Sequence, residues 1–276
     1  MKALKRAVRT LGVCYLLLVA TLFMLQRKLI YLAEQTDEAT QLARAQRIGV
    51  DPWRAAGEIV GWRRASTTTP AAANRLVVFH GNAGSALYRT HFIEGFEGLD
   101  GGALWQVHLF EYPGYGARGG EPSEETITKA ARAAVHELAR EDSRPIFVLG
   151  ESLGSGPACA LARDESEHVS GVFLVTPFAR LGDVAAHHYP MLMVNLILRD
   201  RWDNVSALHG YRGPVAVLLA GRDEVIPAAQ GEELFRAYAG PKRRWDQPRA
   251  THNTIDFSGS APWWREVSDF LLQKPL

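Results

Sequence analysis

Past residue 57 the chain alternates between two hydrophobic signatures. Short apolar runs at residues 58–62, 75–80, 105–111, 145–150, 172–176 and 215–220 read as strands. Between and after them, apolar positions recur every three or four residues, the period of a helix with one buried face. The clearest case is 124–140, which places Ile127, Ala131, Ala134, Val135 and Leu138 on a single stripe. Residues 152–163, 231–239 and 263–272 also read as helices, while 66–74 (STTTPAAAN) is a turn-like loop. The runs LVVF, PIFVLG and VAVLLA are apolar throughout rather than alternating, which marks strands covered on both faces. The pattern predicts an α/β fold, with a mostly parallel central sheet flanked by helices and ligands bound at the carboxyl ends of the strands.

Two segments depart from this rhythm. Residues 177–213 are too long for a simple crossover loop and contain the run YPMLMVNLIL at 189–198. They read as a small helical cap over the site, binding an acyl chain or touching a bilayer, or else as one ordinary crossover helix. Periodicity does not separate the two. At the other end, residues 11–25 (LGVCYLLLVATLFML) contain only Gly12 and Thr21 outside the apolar set. Fifteen helical residues span roughly 22 Å, short of a hydrocarbon core near 30 Å, but snorkelling by Arg9 and Arg27 brings the span close to sufficient. A cleaved secretory signal needs small residues around the cut, and a cut after Ala20 would put Leu18 where one is required. The run is expected to be a retained single-pass anchor. Residues 29–48 then read as a helical lead-in to a catalytic unit over 34–276.

Charge sharpens the division. The chain has 31 Lys and Arg against 30 Asp and Glu, yet residues 1–33 hold six cations and no acid. Four cations precede the apolar run and two follow it, which predicts a cytoplasmic amino-terminus and a body on the non-cytoplasmic side, the periplasm in a bacterium. The body from Glu34 onward is mildly acidic, so no basic face for nucleic acid is expected. Two cysteines, Cys14 and Cys159, exclude a disulfide framework and a Cys-rich zinc site. His187 and His188 lack a third ligand at metal spacing. Gly114, Gly116 and Gly119 form a G-x-G-x-x-G match, but earlier strands precede it and the next helix starts only after it. It reads as a turn lining the pocket, and no metal or cofactor is expected.

The chemistry lies in three places along the chain. Gly150-Glu151-Ser152-Leu153-Gly154 sits between a strand and a helix, the context that makes G-x-S-x-G a nucleophile turn. The glycines leave room for a tight bend that presents the serine hydroxyl, and the helix behind it aims its amino-terminal dipole and the Leu153 N–H at an oxyanion. A serine needs a base and the base an orienting acid. Asp223 follows the strand at 215–220 and His252 lies in the loop before the last helix; Asp203, Asp246 and Asp256 are rival acids, none at a strand end. After the strand LVVF, His80-Gly81-Asn82 lets the backbone bend and offers the Asn82 N–H as a second oxyanion donor, with His80 bracing the loop.

HGNAG, EYPGYGARGGEPSE, GESLG, TPF, GRDEVIP and THN occur in the order seen in α/β-hydrolase-fold serine hydrolases, and with QRKLIY after the anchor the chain resembles their Bem46-like, membrane-anchored branch. The likeness runs from about Leu16 to the end. It implies the α/β-hydrolase fold and hydrolysis of a small-molecule or lipid acyl ester or thioester by Ser152, Asp223 and His252, without a cofactor. Thr251 departs from the glycine that many relatives carry there, and Asn253-Thr254 stand where an acid is frequent, which bears on the shape of the histidine loop. A non-catalytic scaffold and a small-peptide peptidase are the alternatives.

Overall fold

The computed structural model describes residues 1–64 and 73–273. Its centre is an eight-stranded sheet: β1 (Asp51–Ala55), β2 (Glu58–Arg63), β3 (Asn74–Phe79), β4 (Trp105–Phe110), β5 (Ile146–Glu151), β6 (Val169–Val175), β7 (Val215–Ala220) and β8 (Lys242–Gln247). The spatial order is β8-β7-β6-β5-β3-β4-β2-β1. β1 and β2 form an antiparallel hairpin and β2 is antiparallel to β4; all other neighbours are parallel. The hairpin turns at Ala56 and Gly57, both with positive φ, which suits the twist of the flanking strands.

Ten α-helices accompany the sheet among the described residues: α1 (Lys2–Ile30), α2 (Glu38–Arg47), α3 (Thr90–Glu97), α4 (Glu124–Glu141), α5 (Ser155–Asp164), α6 (Leu181–His188), α7 (Val194–Ile197), α8 (Asn204–Leu208), α9 (Ala228–Ala237) and α10 (Trp263–Leu271). The five residues expected to face inward on α4 are all buried. With Cys159 and Leu161 of α5 they fill one side of the sheet. The other side is aromatic, where Phe92 and Phe96 of α3 meet Trp105 and Trp264. Both faces are covered, which is why strands such as β7 are apolar at every position.

The sequence reading differs from the structure at several places. The lead-in at 29–48 is not one helix. α1 ends at Ile30, Leu32 and Ala33 pair in parallel with Ala83 and Gly84, and α2 starts afresh with Asp37 accepting from Thr40 N at 2.9 Å. The helix expected from Ser152 opens as a 3-10 turn, Ser152–Gly154, before α5. β1 and β8 carry no apolar run to announce them: β8 reads KRRWDQ, the charged composition of a strand exposed at a sheet edge. Of the loop expected at 66–74, residues 66–72 lie outside the described residues, and Asn74 already belongs to β3. The 177–213 segment holds three short helices, α6 to α8, rather than one crossover helix.

A buried cation closes the lower end of the sheet. Arg75, fully inaccessible at the start of β3, donates to the carbonyls of Leu138, of Asp142 at 3.1 Å and of Arg144 at 3.0 Å. Its Nη2 also lies 3.1 Å from Asp142 Oδ1. A guanidinium suits this place because it satisfies carbonyls left open at the end of α4, where the helix dipole is negative. Arg75→Met should leave those acceptors unpaired and cost about 2–4 kcal/mol, read as a lower urea midpoint with unchanged slope.

Candidate active site

Ser152 sits at the carboxyl end of β5 with φ 54°, in the left-handed region that side chains other than glycine rarely adopt. Its neighbours explain how the turn is held. A Cβ at Gly150 would stand 2.4 Å from the Gly154 carbonyl oxygen, and one at Gly154 would stand 2.0 Å from that of Phe79. The bend therefore packs backbone on backbone against β3, and only glycine fits at either position.

The structure brings the three predicted residues together from separate elements. His252 Nε2 is 2.9 Å from Ser152 Oγ, and His252 Nδ1 is 2.7 Å from Asp223 Oδ2. The Asp223 side chain is 1% exposed, and its other oxygen accepts from Val225 N at 2.9 Å and Ile226 N at 2.7 Å. That carboxylate is thus fixed from behind before it meets the imidazole. The rival acids are engaged elsewhere: Asp203 caps α8, Asp246 pairs with Arg244 and Asp256 accepts from Ser258 N. The histidine loop closes by its own means, since Thr251 N donates to Thr254 Oγ1 at 2.8 Å. Both threonines that depart from the resembled pattern serve this turn.

The loop after β3 lies against the serine. A Cβ at Gly81 would be 3.6 Å from Ser152 Cβ. Its carbonyls are drawn away toward partners: Tyr112 OH donates to His80 O at 2.6 Å, and Tyr115 OH and Leu32 N donate to Asn82 O at 2.7 and 2.9 Å. His80 is buried, tilted against Tyr112, with its Nδ1 2.7 Å from Gly81 O within the loop and its Nε2 3.3 Å from Glu111. Leu153, the other predicted oxyanion donor, is buried directly after Ser152. Tyr115 belongs to the glycine turn at 114–119, which lines this region.

Sequence reasoning did not single out two groups near the serine. Buried Glu111 accepts the Ala86 N–H with both oxygens and so ties the end of β4 to the segment after the loop at 80–82. Arg89 is bonded to Glu151, and although burial pushes that carboxyl up, the guanidinium brings it net below its ordinary value. The signal in the sequence was Glu151 itself, an acid inside the nucleophile motif that needs a cation nearby.

A separate cluster could hold a metal by composition. His136, Glu165 and His168 bring ligating atoms within 4.8 Å of one another. Glu165 already accepts from Arg132 at 2.8 Å and lies 2.7 Å from His136 Nε2. It stands before β6, at the end of the sheet opposite Ser152, so it takes no part in the site.

The sheet order and the serine at a strand-to-helix turn define an α/β hydrolase, and the chain belongs to the alpha/beta hydrolase fold family, whose sequence profile matches residues 74–224. Among its relatives, the uncharacterised Mycobacterium tuberculosis protein Rv2307c is 33% identical over 233 residues, covering 83% of this chain and 80% of that one. Protein bem46 of Schizosaccharomyces pombe is 24% identical over 215 residues, covering 75% and 70%, which agrees with the Bem46-like branch. An esterase of Pyrococcus furiosus, Pf2001, superposes with a TM-score of 0.66 at 16% identity over 89% of this chain and 98% of its own, a likeness of fold.

His91 gives the region a pH signature. Its ring packs on Phe92 and Phe257 at 4.3 and 4.4 Å, and burial drops it to about 4, with Glu151 pulling weakly the other way. The unfolded chain takes this proton near pH ~6.5 and the folded one resists. Stability should therefore fall as pH drops from about 6.5 toward 4. His91→Phe should flatten that fall, measured as urea midpoints at pH 7 and 4.5.

Proposed function

We propose that the protein is a membrane-anchored serine hydrolase that cleaves carboxylic ester or thioester bonds through an acyl-enzyme. The observation that carries this reading is the unbroken line Asp223–His252–Ser152, at 2.7 and 2.9 Å. The Asp223 carboxylate can only accept, so His252 Nδ1 carries the proton and Nε2 presents a lone pair to the serine hydroxyl. Ser152 Oγ bonds to the substrate carbonyl carbon as Nε2 takes its proton. The carbonyl pair moves onto oxygen, where the Asn82 and Leu153 N–H groups hold it; losing one such donor typically costs about 3–4 kcal/mol. The C–O or C–S bond then breaks, the leaving group takes the proton from His252, and water repeats the sequence to release the acid. The substrate is a small-molecule or lipid acyl ester.

The anchor is α1, whose 29 residues and apolar composition suffice to cross a bilayer. The excess of cations before its apolar run supports an amino-terminus in the cytoplasm and a hydrolase on the other side.

A fluorophosphonate probe should label the wild type and not Ser152→Ala; equal labelling would discard the serine as nucleophile. Asp223→Asn tests the acid separately. Because Val225 and Ile226 hold Oδ1, the amide would turn its NH2 toward His252 and impose the wrong tautomer. Ester turnover should fall about 10³–10⁴-fold with the fold intact by circular dichroism.

A further inference from the structure

The end of α1 is bolted to the cap. Arg27 meets Asp200 through two hydrogen bonds of 3.0 Å, and that carboxylate is 3% exposed. One residue earlier, Gln26 uses both ends of its amide, Nε2 donating to Ile197 O at 3.1 Å and Oε1 accepting from Arg199 N at 2.7 Å. Tyr15 OH donates to Met191 O at 3.1 Å. The cap therefore follows α1 from Arg27 back to Tyr15, twelve positions or roughly 18 Å of helix.

Tyr15 lies inside the apolar run at 11–25. When that run occupies a hydrocarbon core about 30 Å thick, the cap residues beside it stand at hydrocarbon depth too. Their composition fits. Residues 189–198 contain no charge, while His187 and His188 precede them and Arg199 and Asp200 follow. Met191 is 86% and Leu196 76% exposed, side chains that water would penalise and lipid accepts.

Between helix and cap lies an apolar cavity of about 350 Å³, walled by Leu22 and Leu29 of α1 and by Ala185, Leu192, Ile197 and Leu198. Its size falls in the range of ligand pockets. The segment forming its outer wall also touches the loop that carries Asp223. His188, between the lining residues Ala185 and Tyr189, is hydrogen-bonded through Nε2 to Val225 O at 2.8 Å, and Val225 N donates to Asp223. His188, next to the lining residue Tyr189, thus ties this segment through two hydrogen bonds to the loop that carries Asp223.

We infer that this cavity binds one acyl chain of a bilayer lipid, taken in sideways between α1 and the cap. The inference rests on reading α1 as a bilayer anchor and identifies the substrate class of the proposed hydrolase as long-chain lipid acyl esters or thioesters. The occupant is a membrane chain because one wall, Leu22 and Leu29, belongs to the anchor itself, and the other, Leu192 and Ile197, adjoins the exposed Met191 and Leu196.

The test uses the full chain in phosphatidylcholine vesicles doped with phosphatidylcholine bearing a diazirine at one chain end. After irradiation and digestion, label should appear on Leu192, Ile197 and Leu198 as well as on outward-facing Leu16 and Leu17. Ala185→Trp and, from the opposite wall, Leu22→Trp should each cut the cavity label at least fivefold and leave the Leu16 and Leu17 label unchanged. Label that ignores both variants, or that never reaches 189–198, would overturn the inference. So would labelling by a free diazirine fatty acid in detergent with none from vesicle lipid. The same map is taken on Ser152→Ala. Cavity label on both proteins with no ester hydrolysis by the wild type would refute the hydrolase reading alone, and hydrolysis by the wild type without cavity label would refute the acyl site alone.

Discussion

Holding Ser152 at φ 54° between two backbone contacts costs of order 1–3 kcal/mol of strain, and the sheet around it has to supply the restraint. β5 is paired on both sides, with β3 and β6. The Gly154 backbone is pressed onto the last carbonyl of β3, so the turn cannot relax without parting two central strands. α5 begins where the strain ends, and its inner surface is buried along its whole length. Strain at the serine and burial of α5 are two aspects of one packing arrangement.

From that fixed point the polar groups are placed by what lies behind them. Asp223 is held by two N–H groups before it touches His252, and in the loop at 80–82 the carbonyls of His80 and Asn82 accept from two buried tyrosines. Neither arrangement needs the substrate to form it. In the proposed acyl transfer, a pre-set field of this kind would stabilise developing charge without reorganisation. Under the proposed chemistry, tyrosines far from the reacting bond would matter because they decide which way a peptide unit faces.

Much of this was legible in the chain. Strands covered on both faces announce themselves as apolar runs, and a glycine-flanked serine between strand and helix has few other uses. The α4 stripe was readable because helical period and burial coincide there. The edge strands β1 and β8 were not, since solvent on one side removes the apolar signature on which the reading depends. Glu111 and Arg89 were equally silent: a buried ion or hydrogen-bond partner depends on what the fold brings near it, and that is not local in sequence. The break after Ile30 was hidden because residues 29–48 are good helix formers, while the chain instead runs extended to pair Leu32 and Ala33 with Ala83 and Gly84. Tertiary pairing overrode propensity.

The contacts of Tyr15, Gln26 and Arg27 with the cap have a consequence for motion. A hydrolase on a slack tether tumbles and meets its substrate at any height above a surface. Three attachments along one helix remove most of that rotational freedom and set both the height and the azimuth of the reactive groups relative to the helix axis. With α1 upright in a bilayer, the search for substrate becomes lateral diffusion in a plane. Under the proposed anchoring and ester chemistry, selection among substrates would be decided first by the depth at which the scissile bond lies, and only afterwards by its chemistry.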